Sequence, residues 1–153
     1  MLHDVEKAQP AFVIEWLGTY SELKMIEAEA ALRGGQSGRA YEAYLEAIRS
    51  HMAKLGVSSD DAEAYISDTS VGVGAGALSR EDIVREKYKI MFLNPEAWVD
   101  ARRFDYQYAG FTLPANSDLP EFIRRLDYPD TEYTRNGSNI PASSLTGRIW
   151  WDR

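Results

Sequence analysis

Two helix-patterned runs joined by a glycine-rich link constrain this chain more than any other feature. The run "YSELKMIEAEAALR", residues 20–33, is dense in strong helix formers. Thr19 precedes it, with Glu22 three positions on, so hydroxyl and carboxylate can satisfy exposed amides reciprocally in a capping box. "GGQSG" at 34–38 stops that helix. A second helix is predicted over about residues 39–55, with Ala40, Tyr44, Ala47, Ile48, His51, Met52 and Leu55 on one face at spacings of three and four. A short link between two such helices predicts an antiparallel hairpin. Ala40, Tyr44 and Ala47 fall at the Ala-x3-aromatic-x2-Ala spacing of a tetratricopeptide second helix, and Ala28 fits the small residue of the first. The other signature positions are missing, which makes this one degenerate repeat.

The expected fold class is mainly α: tetratricopeptide-like helical hairpins followed by a long irregular, aromatic-rich C-terminal segment. Residues 1–15 form an entry segment with the apolar patch "AFVIEW" at its end, 16–104 the helical region and 105–153 the tail of a single domain. "SSDDAEAYI" opens on good N-cap residues and predicts a short third helix. Residues 68–79, "DTSVGVGAGALS", form a loop with three spaced glycines. A phosphate loop requires Gly-Lys-Ser/Thr at its end, and these glycines run into "ALSRED" instead, so the segment reads as a mobile or closely packed surface loop. Ser79 caps a helix expected to reach about Asn94, with Ile83, Val84, Tyr88, Met91 and Phe92 on its buried side. Pro95 disfavours helical geometry at Asn94 yet suits a helix's first turn, so "NPEAWVDARR" begins a new helix. Beyond Phe104 periodicity ends, and Pro114, Pro120, Pro129 and Pro141 punctuate the tail.

Composition narrows the function. The net charge of −7 repels nucleic acid and anionic membrane surfaces, so no nucleic-acid partner is expected. With no cysteine, disulfides, thiolate catalysis and cysteine zinc sites are excluded. No apolar run approaches the roughly 20 residues that span a bilayer, and "MLHDVEKAQP" lacks the apolar core of a signal peptide. Two readings stay open: a cytoplasmic protein, or a piece of something longer.

Catalytic chemistry finds little to build on. Of the two histidines, His3 lies near the terminus and His51 on an apolar helix face, where a partly buried histidine is expected rather than a ligand. Neither a serine–histidine–acid arrangement nor a metal site can be assembled from them, and no catalytic residue or cofactor is assigned. The carboxylates Glu27, Glu29, Asp60, Asp61, Glu63, Glu96 and Asp100 suit solvated helix faces and helix N-termini. The aromatics are more suggestive, because rings stack on sugars as they do on one another. Tyr106, Tyr108 and Phe111 are the candidate ligand contacts, in a region also holding Trp98 and Phe104. Arg102 and Arg103 could hold an anion, but the preferred role is a structural clamp where the helical region meets the tail.

Five segments in order carry a resemblance: "TYSELKMIEAEAALRGG", "AYEAYLEAIRSHMAKLGVSSDDAEAYI", "EKYKIMFLNPEAWVDARR", "RRLDYPDTEYTRN" and the terminal "RIWWD". Together, over residues 12–152, they resemble the C-terminal part of the SusD/RagB-like outer-membrane lipoproteins. The resemblance implies a non-catalytic, surface-exposed glycan-binding protein of the outer membrane, with a SusC-like TonB-dependent transporter as partner and an oligosaccharide or peptide as ligand. It implies a longer, exported parent lipidated on an N-terminal cysteine, this chain being its C-terminal fragment and mainly scaffold, with its only membrane attachment through a lipid anchor outside the fragment. The alternative is a free-standing tetratricopeptide-like module that binds a partner protein.

Overall fold

A computed structural model describes residues 18–152 of the chain. The described residues form six α-helices and one short 3₁₀ helix, with no β-strand among them. The protein is mainly α, as its sequence predicts. The helices are α1 (Tyr20–Arg33), α2 (Ser37–Lys54), α3 (Ser59–Ile66), α4 (Arg80–Ile90), α5 (Ala97–Arg103) and α6 (Asp130–Asn136), with the 3₁₀ turn at Gly137–Asn139. The chain divides into two compact units between Ile90 and Met91. The entry segment and "AFVIEW" lie outside the described residues, as does His3.

In the first unit, local signals set each helix start. The Thr19 hydroxyl accepts from the Glu22 amide at 3.1 Å, the threonine half of the expected capping box. Ser58 accepts from the Asp61 amide at 3.2 Å. Ser79 and Asp82 cap reciprocally: the Ser79 hydroxyl accepts from the Asp82 amide at 3.1 Å, and the Asp82 carboxylate accepts from the Ser79 amide at 3.0 Å. Helix α1 ends in a Schellman motif, where Gly35 (φ 73°) donates to Leu32 and Gln36 to Ala31.

The link between α1 and α2 is three residues long, and Ser21 near the start of α1 meets Ser50 near the end of α2, hydroxyl to hydroxyl at 2.9 Å. The two helices are therefore an antiparallel hairpin. Met25, Ala28 and Ala31 of α1 pack with Ala40, Ala43, Tyr44, Ala47 and Ile48 of α2, all buried. The alanines let the helices approach closely, which is what the tetratricopeptide spacing supplies. Helix α4 packs on both α1 and α2, contributing Ile83 to the same core.

The glycine loop is closely packed. The buried Tyr44 hydroxyl donates to the Val71 carbonyl at 3.1 Å, and Val71 and Leu78 are core residues. A Cβ on Gly72 would lie 2.1 Å from the Ile66 carbonyl oxygen, so no larger residue fits that approach. The segment helps close the core through Val71 and Leu78.

Helix α4 stops at Ile90, short of the expected Asn94. Leu93 adopts φ 64° and Asn94 donates to the Met91 carbonyl, a turn forced by Pro95 just beyond. Phe92 and Leu93 consequently project into solvent, and Tyr88 is also exposed, whereas Ile83, Val84 and Met91 are buried as predicted.

Candidate functional site

The second unit is built around the end of α5. There Asp105 donates to the Arg102 carbonyl and Tyr106 to the Ala101 carbonyl, a Schellman closure in which Asp105 (φ 53°) takes the place usually given to glycine. Tyr106 is also left-handed, at φ 59°. Aspartate tolerates this conformation better than most residues, while for tyrosine it costs energy that surrounding contacts must offset. Those contacts are present. The Tyr106 hydroxyl accepts from the Trp98 indole at 2.7 Å and donates to the Ile123 carbonyl at 2.5 Å. Its ring stacks on Phe122 with centroids 4.3 Å apart and planes 14° from parallel.

The three ring candidates come together in one cluster. Phe111 meets Tyr106 and Tyr108 edge-to-face at 5.8 and 5.2 Å, and Phe104 meets Tyr108 at 5.8 Å. Tyr108 is buried, and Tyr106 and Phe111 are half-buried. Trp150, by contrast, is 82% exposed.

Arg102 is buried, its guanidinium 3.9 Å from the Trp98 ring centroid and 4.6 Å from that of Trp151. It donates to the Arg124 carbonyl at 2.9 Å, and Arg124 donates back to the Arg102 carbonyl at 3.3 Å. Arg103 pairs with the buried Asp100 carboxylate at 2.7 Å.

A second arginine pair, Arg124 and Arg148, alternates with Asp105 and Asp152 in a closed ring of charge. One Arg124 amino group spans both oxygens of the buried Asp152 carboxylate at 2.8 and 2.7 Å, and the other reaches Asp105. Arg148 bonds Asp105 at 2.5 Å and Asp152 at 3.4 Å. Burial works against the Arg124 cation, yet the Asp152 and Asp105 hydrogen bonds prevail and raise its pKa. Partial burial likewise works against the Asp105 anion, but Arg124 and Arg148 hold its carboxyl below the usual range. The backbone is fixed by Arg124 and Arg125 both donating to the Leu145 carbonyl, at 2.7 and 3.2 Å.

Beside this ring lies an open cleft of about 430 Å³. Asp105, Tyr106, Arg124 and Arg148 form one part of its lining; Gln107, Leu113, Pro120, Glu121 and Phe122 form the rest. Sequence reasoning singled out Arg102, Arg103 and Tyr106 here but missed Arg124, Arg148, Asp152 and Phe122. Two of the motifs it relied on, "RRLDY" and "RIWWD", begin with Arg124 and Arg148, and the second ends on Asp152.

In the first unit, Tyr20, Leu23 and Ile26 of α1 are exposed, and Leu23 and Ile26 line a groove of about 450 Å³ with Ala30, Gln36 and Arg39. Among the described residues no group of three or more histidines or carboxylates could hold a metal ion, and no helix is long and apolar enough to cross a membrane.

Compared with models of known families, residues 3–129 match the SusD-like model, described as starch-binding and associating with the outer membrane. The chain belongs to the SusD-like family. The SusD-like family is one of non-catalytic binding proteins. No curated protein and no solved structure matches the chain significantly. The SusD-like match takes in the α1–α2 hairpin, the α5 closure and Arg124; Arg148 and Asp152, which complete the charge ring, follow it.

Proposed function

We propose that this SusD-like chain serves in the capture of oligosaccharides at the outer-membrane surface and their delivery to a TonB-dependent transporter, as the C-terminal part of a longer lipid-anchored protein. The observation that carries the reading is the family match over residues 3–129. Tetratricopeptide-like packing in the first unit and the clamped, aromatic-rich second unit suit a rigid scaffold that presents sugar contacts. Arg102 and Arg103 act as the clamp of that scaffold, and Tyr106, Tyr108 and Phe111 shape its aromatic wall. Affinity comes from stacking and hydrogen bonds, with no bond made or broken in the ligand.

Titration of the chain with maltoheptaose, followed by heteronuclear NMR, tests this. Saturable shifts with a Kd on the order of 1 mM, about 4 kcal/mol, are expected, with no oligosaccharide cleavage on prolonged incubation. Release of shorter sugars would contradict the non-catalytic role.

A second reading, a helical module that binds a protein partner, has its own support in the exposed Tyr20, Leu23 and Ile26 of α1. It predicts that maltoheptaose gives no saturable shifts, whereas a protein partner cross-linked to the wild-type chain in cells is lost with Leu23→Glu and Ile26→Glu.

A further inference from the structure

The cleft of the second unit contains polar groups of two kinds. Asp105, Arg124 and Arg148 are engaged with one another and with Asp152. Gln107 and Glu121 are exposed at the cleft, and neither side chain is engaged by another described residue. One amide and one carboxylate thus offer a donor and several acceptors without the cost of breaking an existing pair. The apolar part of the lining includes Phe122 and Pro120. Phe122 is half-buried and held in place by the Tyr106 stack, and Tyr106 is itself fixed through its hydroxyl, so the platform is preorganised.

Charge selects among ligands. Asp105 and Glu121 balance Arg124 and Arg148 within the lining, and both arginines already serve carboxylates. Among the described residues that line the cleft, no cation is left unpaired to neutralise a phosphate or a uronic acid. What suits the cleft is a neutral, polyhydroxylated ligand with an apolar ring face, and the volume of about 430 Å³ lies within the range of small-molecule clefts. Two consecutive non-glycine residues in left-handed geometry, Asp105 and Tyr106, sit in the same lining, and retained backbone strain of this kind clusters at ligand sites.

We infer that this cleft is a neutral-oligosaccharide subsite, in which Phe122 supplies the stacking platform and Gln107 and Glu121 bind sugar hydroxyls. The inference rests on the glycan-capture reading and assigns it a place. It also moves the sugar contact from Tyr106, whose ring is stacked on Phe122, to Phe122 itself.

The test is an NMR titration of the full chain with maltoheptaose and, in parallel, with an oligogalacturonate of similar length. The expected result is a saturable shift of the Gln107 side-chain amide and of backbone amides at 105–107 and 120–122 with the neutral sugar only. Gln107→Ala with Glu121→Ala, both exposed and without a side-chain hydrogen bond or ion pair to another described residue, should weaken binding about tenfold, as two lost hydrogen bonds predict. A control at Glu42→Ala in the first unit should leave it unchanged. Binding that the double variant does not weaken overturns the subsite and leaves glycan capture standing. Preference for the oligogalacturonate overturns the charge argument. No shift with any oligosaccharide, while the chain stays folded by its amide dispersion, overturns both readings.

Discussion

Arg124 and Arg125 are adjacent in sequence and unlike in consequence. The Arg124 side chain is 10% exposed and faces an Asp152 carboxylate that is 1% exposed, whereas Arg125 lies over the Tyr128 ring at 5.1 Å, half-buried. Removing the guanidinium from Arg124 strands a buried carboxylate, which is the costly way to break an ion pair. Arg124→Gln is expected to destabilise the second unit by about 3 kcal/mol, seen as a lower urea midpoint by tryptophan fluorescence. Arg125→Gln should change it by less than about 0.5 kcal/mol. Equal midpoints for the two variants would show that the buried pair does not hold the tail. Sequence reading found Arg102 and Arg103 because they stand together at a helix end. It passed over Arg124 because its partners, Asp105 and Asp152, lie 19 and 28 residues away, in a tail whose lack of periodicity hides which side chains face one another.

Helices are legible where they carry a cap at one end and an apolar stripe along the side. Helices α1 to α4 carry one or both, from Thr19, Ser58 and Ser79 to the faces around Met25, Tyr44 and Ile83, and their existence could be read directly. Helix α6 could not. It buries no residue, so "DTEYTRN" has no stripe, and it lies within the stretch expected to be irregular. The loop between α3 and α4 offers a sharper test, because its glycines look alike in sequence and differ in surroundings. Gly72→Ala sets a Cβ 2.1 Å from a backbone oxygen that cannot swing away, so a loss of at least about 2 kcal/mol is expected. Gly76 has nothing within 4 Å of its added Cβ and no positive φ, so Gly76→Ala should be neutral or stabilise by about 0.5 kcal/mol. Thermal unfolding by circular dichroism separates them. A Gly72→Ala protein as stable as its parent would mean the loop is not packed as described.

The two units should respond differently to acid, since the histidines are His3 and His51 and the second unit has neither. Burial, aided by nearby Lys54, lowers the pKa of His51 below its ordinary value of 6.5. As pH falls through about 6.5 the unfolded chain takes up this proton before the folded one, so folding stability declines from there downward. Carboxylates act later. In the first unit, the hydrogen bond from Lys24 leads in lowering Glu27, and that from Arg49 in lowering Glu63. In the second, Asp105 is lowered against its partial burial by Arg124 and Arg148, and Asp127 chiefly by the Tyr133 hydroxyl. Their stabilisation is complete above the unfolded values of about 4 and is lost only as pH drops through the lower folded values. In a Trp16→Phe background the remaining tryptophans, Trp98, Trp150 and Trp151, all belong to the second unit. Their urea midpoint should therefore stay level from pH 7 to 5 and fall only below about 4. The helical ellipticity midpoint, dominated by the longer helices of the first unit, should already decline between pH 7 and 5, and His51→Gln should flatten that decline. Coincident midpoints across this range would mean the units unfold as one, so that the His51 proton is felt throughout.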